Sequence, residues 1–361
     1  MAESRPTNEV AKRAESSPLT FCDRSFGVRA LAWSGDYLYA SSGYQLLRAR
    51  VDGLTPNWHH VAFFSAQWRR RITVANRITA RLFRDGFHAL AVLPDGGLVA
   101  AVAGAIVTFH PTEREFRVTH AVQRGTRPLH ITAVPEGSVF WGEYFDNKHR
   151  EEVHIYASQD RGDNWHVAYT FPKGAIRHVH NIVHDPWENC LWILTGDYGD
   201  ECRILRAACD LSRVETVLQG NQQARAVAFV STADGLYFSS DTPLEKNYIY
   251  CLDRQRNLSQ LAEISSSSIY GCRVGDSVFF STMVEPSEVN RDRNVRLYAG
   301  RRKLEKWTPV LAWEKDFWHM GLFQYGNAFL PDGNNTTPYL ALTTAAVKSE
   351  DMVTALYHVN L

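Results

Sequence analysis

Four carboxylates occupy one recurring position in this 361-residue chain. Gly142-Glu143-Tyr144, Gly196-Asp197-Tyr198, Ser240-Asp241-Thr242 and Val284-Glu285-Pro286 each follow an apolar, strand-like run. Hydrolysis of a glycosidic bond needs two such groups, one as acid for the leaving oxygen and one as base or nucleophile on the opposite face of the sugar. Proton-exchanging and cationic side chains recur among them. His130, His180 and Tyr325 are candidates to exchange protons in an elimination on a uronate, while Arg127, Arg177 or Arg225 holds the sugar's carboxylate bidentately. His178 and His180 lie two apart, so on a strand they share a face, and with His130 or an adjacent carboxylate they form a candidate site for a divalent metal. The sequence requires no cofactor, but it admits this ion. His88, His319 and Gln324 complete the candidates for holding a substrate.

These residues gather only if the chain repeats a structural unit, and it does. Leu46-Leu47-Arg48-Ala49 leads to Trp58, Ile106-Val107-Thr108-Phe109 to Phe116, and Ile155-Tyr156-Ala157-Ser158 to Trp165. Ile204 to Ala207 leads to Val214, Ile249 to Leu252 leads to Leu258, and Leu297 to Gly300 leads to Trp307. Each is an apolar strand, a polar turn and an apolar residue opening the next strand, at a period of roughly 45 to 50 residues, which four-stranded propeller blades produce. The front halves agree: Ala89-Leu93 with Leu98-Val102, Ile131-Val134 with Val139-Trp141, Ile182-His184 with Cys190-Leu194, and Ala226-Val230 with Leu236-Ser239 read as hairpins. The expectation is an all-β single propeller of seven blades, each of four antiparallel strands, with six blades as the alternative. The last blade would run from about Gly321 to Leu361 with help from an N-terminal strand. One longer gap, 65–85, carries Trp68, Ile72, Ala75, Ile78 and Leu82 near helical spacing and reads as a short helical insertion with a solvated arginine face. In a propeller the inner strand starts at one rim and the second strand returns there, so the candidates above converge on a central funnel.

One turn adds a family likeness. Ser158-Gln159-Asp160-Arg161-Gly162-Asp163-Asn164-Trp165 resembles the Asp-box of sialidase-type propellers, Ser-x-Asp-x-Gly-x-(Ser/Thr)-Trp, with Asn164 in place of the hydroxyl residue. Ser158, Asp160, Gly162 and Trp165 are its structural positions: Asp bonds the backbone of its own turn, Gly supplies a positive φ, and Trp anchors the returning strand. The resemblance implies a propeller and carbohydrate work. It carries over no catalytic residue, because the sialidase Arg-Ile-Pro signature is absent where the chain reads Phe26-Gly27-Val28-Arg29-Ala30-Leu31 and no Tyr-Glu nucleophile pair is assignable.

Composition narrows the partners. Lys plus Arg and Asp plus Glu both total 39, so no global field draws nucleic acid or an anionic membrane. No P-loop, dinucleotide fingerprint or Gly-x-Ser-x-Gly elbow occurs. Six scattered cysteines without a CxxC pair, no secretory leader and no transmembrane run point to reduced thiols in the cytoplasm. Residues 1–17 read as a disordered arm and 18–361 as the propeller. The expected activity is cleavage of a glycosidic bond beside an acidic sugar, by a sialidase-like hydrolase or a propeller-type polysaccharide lyase, acting on an acidic oligosaccharide or polysaccharide. The alternative is a non-catalytic propeller that binds a glycan or a protein.

Overall fold

A computed structural model describes residues 17–53, 55–74, 77–301 and 307–361, with the backbone alone for Arg71 and Arg77. The expected N-terminal arm lies outside the described residues, apart from Ser17. The fold is all-β. Four-stranded antiparallel meanders follow one another along the chain, the first being Arg29–Gly35, Tyr37–Ser42, Gln45–Arg50 and His59–Phe64. A second (Ala89–Val92, Leu98–Val102, Ala105–Phe109, Glu115–Ala121) joins it through parallel pairing of Phe63 and Phe64 with Glu115 and Phe116, and the short strand Asp332–Asn335 completes a nine-stranded sheet. Five separate four-stranded sheets remain. Four follow in order, from Thr132–Ala133, His178–Asp185, Ala226–Thr232 and Ser268–Val274. In the fifth, Asn327–Phe329, Tyr339–Ala345 and Val353–Val359 take the N-terminal strand Leu19–Phe26 as outermost member.

Burial explains which runs read as continuous apolar stretches. Second strands such as Leu98–Val102, Cys190–Gly196 and Ser277–Thr282 are buried throughout, because neighbouring sheets cover both faces. Outermost strands such as His166–Phe171 and Leu258–Ile264 are more exposed and mix polar with apolar residues. The core lies between sheets: Trp192 and Leu194 of one pack with Phe229, Phe238 and Tyr250 of the next. From Arg29–Gly35 to Ser268–Val274 the first strands contact one another in sequence order, which leaves their starting ends around one rim.

The 65–85 segment forms two short helices, Trp68–Thr73 and Arg77–Phe83. Two of its arginines depart from the expected solvated face. Arg81 is buried, pairs with Asp316 (2.6 Å) and Asp351 (3.2 Å), and donates twice to the Phe323 carbonyl (3.1 and 2.8 Å). Arg70 pairs with Asp85 at 2.9 Å. The segment is therefore fastened across to the C-terminal part of the chain.

At the turn 158–165, Asp160 accepts the Asn164 amide (2.9 Å) and its side chain (2.7 Å), Ser158 Oγ accepts the Gly162 amide (2.8 Å), and the Trp165 indole donates to the Gly162 carbonyl (3.1 Å). Gly162 has φ +90°, and a Cβ there would stand 2.7 Å from Val99 Cγ2 and 2.8 Å from Thr108 Oγ1 of the preceding sheet. Gly162→Ala is expected to cost about 1–3 kcal/mol, from left-handed strain plus a forced contact between sheets. Equilibrium unfolding in urea measures it, and an unchanged midpoint would contradict the account.

A second turn repeats the Asp–Asn part of this bonding without the same letters. Asp253 accepts the Gln255 and Asn257 amides (2.9 and 2.8 Å) and the Asn257 side chain (2.8 Å), repeating Asp160 and Asn164 at equal spacing. Gln255 stands where the first turn has Gly162, so the strict pattern misses it.

Candidate functional site

Two groups of polar side chains form where inner strands begin and second strands end. The first group centres on Asp197, at the end of Cys190–Gly196. Its Oδ2 accepts Arg177 Nη1 at 2.9 Å, and its Oδ1 lies 3.1 Å from His180 Nε2, 3.4 Å from His178 Nε2 and 3.5 Å from Arg225 Nη2. The alternation of His178–Asp185 puts both imidazoles on one face, as their spacing predicts, with Nε2 atoms 3.1 Å apart. Each ring is fixed through Nδ1, His178 on the Phe145 carbonyl (3.0 Å) and His180 on the Ala226 carbonyl (2.9 Å). The Tyr144 ring covers His178, with centroids 4.3 Å apart. Burial alone would raise the Asp197 carboxyl, but the two imidazoles outweigh it and hold the group ionised, well below the usual carboxylate range. Burial pushes His180 down towards its neutral form.

Asp241 and Glu285 extend this group. Arg225 reaches Asp241 Oδ2 at 3.4 Å while contacting Asp197, so one guanidinium serves two carboxyls. Burial, opposed by Arg225 and reinforced by Glu285 and Asp197, pushes Asp241 up to about 7. Glu285 is raised by burial and the Asp197 charge, against Arg225. Tyr144 is pushed up to about 12 by burial and by Asp197 and Asp241. Tyr325 is raised by burial and by the Glu285 charge, which places it at this group too.

The second group is basic. Arg29, His88, His130, Tyr270, Phe329 and Asp332 line a pocket, with Arg127 close enough for its charge to act on His88 and Tyr270. His130 Nδ1 sits 3.0 Å from Asp332 Oδ2, and the Arg29 guanidinium lies over the Phe329 ring at 4.1 Å. Burial and the adjacent Arg29 charge lower Arg127 to about 10, and burial with the two arginines pushes His88 well below its ordinary value. Arg29 Nε is buried without a hydrogen-bond partner among the described residues. Cations held this close gain from an anion between them.

Several candidates have other employment. Glu143 is ion-paired with Arg124 through both oxygens and also accepts the His154 amide at 2.8 Å, so it braces its own sheet and is not available as a free acid or base. Gln324 donates to the Arg81 carbonyl at 3.3 Å and holds the helical segment. His319 is exposed and precedes the short helix Met320–Phe323. His130 is bonded to Asp332, so the third group beside His178 and His180 is Asp197. Arg177 divides itself between Asp197 and Asp146 (2.5 Å). Arg29 carries no motif in Phe26 to Leu31, and the signal for it is its place at the start of an inner strand, as Arg225 stands directly before one.

No protein-family model matches the chain, and no curated protein matches it by sequence. Solved structures do match in shape. One titled as the mitotic checkpoint complex aligns at TM-score 0.58 and 10% identity over 99% of both chains. One titled as the nidogen/laminin complex aligns at TM-score 0.51 and 13% identity, over 83% of this chain and 97% of that one. Both neighbours are β-propeller-like, and at these identities the likeness is one of fold alone.

Proposed function

We propose that the protein binds an acidic sugar and hydrolyses the adjacent glycosidic bond at the rim where the inner strands begin. The observation behind this reading is the division of that rim into a pocket lined by Arg29, His88 and His130, with the Arg127 charge acting on it, and a buried carboxyl group in which Asp241 sits near 7. Arg29 and Arg127 take the sugar's carboxylate, which relieves their mutual repulsion. Asp241 is the acid, protonated in part at neutral pH, and Glu285 is the base or nucleophile. Tyr144 is close enough for the charges of both to act on it, and Tyr325 for that of Glu285. We read the seven four-stranded units as seven blades, closed by Leu19–Phe26 on Val353–Val359. The bonding at Asp160 and Asp253 supports reading both turns as Asp-boxes, one of them degenerate. The six free cysteines accord with a reducing compartment such as the cytoplasm.

The test is a screen of sialosides, uronates and ulosonic-acid polymers, reading reducing-sugar release together with absorbance in the unsaturated-uronate band. Reducing ends without absorbance are the expected result, and Glu285→Gln should cut turnover by about 10²–10⁴ while the protein stays folded. Absorbance would replace hydrolysis by elimination. Binding with silence in both channels would make the protein a glycan-binding propeller instead.

A further inference from the structure

We propose that His178, His180 and Asp197 bind one zinc ion. Three electron-pair donors converge on one point: the Nε2 atoms of the two imidazoles are 3.1 Å apart, and Asp197 Oδ1 lies 3.1 and 3.4 Å from them. Both rings commit Nδ1 to a backbone carbonyl, Phe145 for His178 and Ala226 for His180. When both rings are neutral and donate through Nδ1, each has only a lone pair at Nε2, so two lone pairs face Asp197 Oδ1, which the Arg225 guanidinium approaches only to 3.5 Å. Three acceptors in contact repel unless a proton or a metal cation stands among them, and the metal serves all three at once.

The spacing fits a particular cation. Bonds of about 2.0–2.1 Å in tetrahedral geometry separate ligand atoms by about 3.3–3.4 Å, close to the three distances here. Two imidazoles and one carboxylate oxygen suit a borderline ion and not magnesium or calcium, which favour oxygen. A hydrogen bond from the second ring nitrogen to a carbonyl is also how metal-bound histidines are held.

The surroundings make room for the site and balance its charge. Gly196 lies beside His180, and a Cβ there would stand 2.7 Å from Cε1, so glycine at that position leaves space for the ring. Arg177 engages Asp197 Oδ2 and leaves Oδ1 to the imidazoles. The Arg225 guanidinium, 3.5 Å from Oδ1, is shared with Asp241. Three ligands leave a fourth position, which metal-bound water takes in open zinc sites.

The full chain, stripped with a chelator and titrated with zinc chloride alone, is expected to bind one equivalent, and zinc should raise its melting temperature. Cobalt(II) in the same protein should show the visible d–d bands of a four-coordinate ion. His178→Gln and His180→Gln should each weaken zinc binding by more than about 100-fold, with circular dichroism checking the fold. Wild-type protein that takes up no zinc at micromolar free metal would overturn the proposal. So would zinc binding that survives in the double variant. No sugar is present in these measurements, so failure here leaves the assignment of Asp241 and Glu285 standing, and a failed sugar screen leaves the metal site standing.

Discussion

Asp241→Asn is expected to cut turnover steeply and at the same time make the protein more stable at neutral pH. Amide for carboxyl keeps the shape but removes the proton, and loss of a general acid costs about 10²–10⁴ in rate. The stability effect follows from proton linkage. Asp241 sits near 7 in the folded protein against 3.8 for an unperturbed aspartate, so between those pH values the native state holds a proton that the unfolded chain has released. Stability from this group is present in full below the unfolded value and falls as pH rises through the folded one. At about 1.4 kcal/mol per unit, the loss is at most of order 4 kcal/mol by pH 8. Urea unfolding between pH 4 and 8 should slope downward for the wild type and flatten for the variant. Parallel curves would remove the basis for Asp241 as the acid.

Arg81→Ala should be the most damaging single change outside the rim, costing about 3–5 kcal/mol. The Arg81, Asp316 and Asp351 side chains are only 5%, 7% and 4% exposed, so removing the cation leaves buried anions with reduced compensation. Lys315 remains on Asp316 and softens the loss there, whereas Asp351 keeps the Ala346 amide at 2.6 Å but loses its guanidinium. The helical segment would also lose its grip on the Phe323 carbonyl. Unfolding should shift to lower denaturant, and Arg81→Lys should restore part of the loss through charge without the fork. A variant as stable as the wild type would mean that the clamp contributes nothing.

Strand order was legible because each repeat carries its own apolar run and its own turn. The run Ile204 to Ala207 leading to Val214 sits inside the strands Arg203–Ala208 and Val214–Gln219, and the same holds for Asn247–Asp253 with Leu258–Ile264. The rim was legible as a set of positions: His178, His180, Asp197, Arg225 and Asp241 meet because register puts them there. What each does was not legible. Glu143 occupies the same position as Asp197, but Arg124 in the loop before its sheet neutralises it, and no pattern within one repeat reveals a partner 19 residues upstream. Arg81 looked like one more arginine on a polar helix, because its partners Asp316 and Asp351 are 235 and 270 residues away. Asp332, which sets the environment of His130, belongs to a strand that runs parallel to Arg29–Gly35 and breaks the repeat.

The pairing of Leu19–Phe26 with Val353–Val359 also has a meaning in time. A ribosome makes one partner of this closure early and the other more than 300 residues later. Until the late strand emerges, the early one has no sheet to join, and the arc of finished sheets ends in open edges. Contacts this distant in sequence form slowly, and an unpaired edge meanwhile invites pairing with another chain. Yield in the cell should therefore depend on how long the nascent arc stays open, and a slower final stretch of translation would lengthen that exposure.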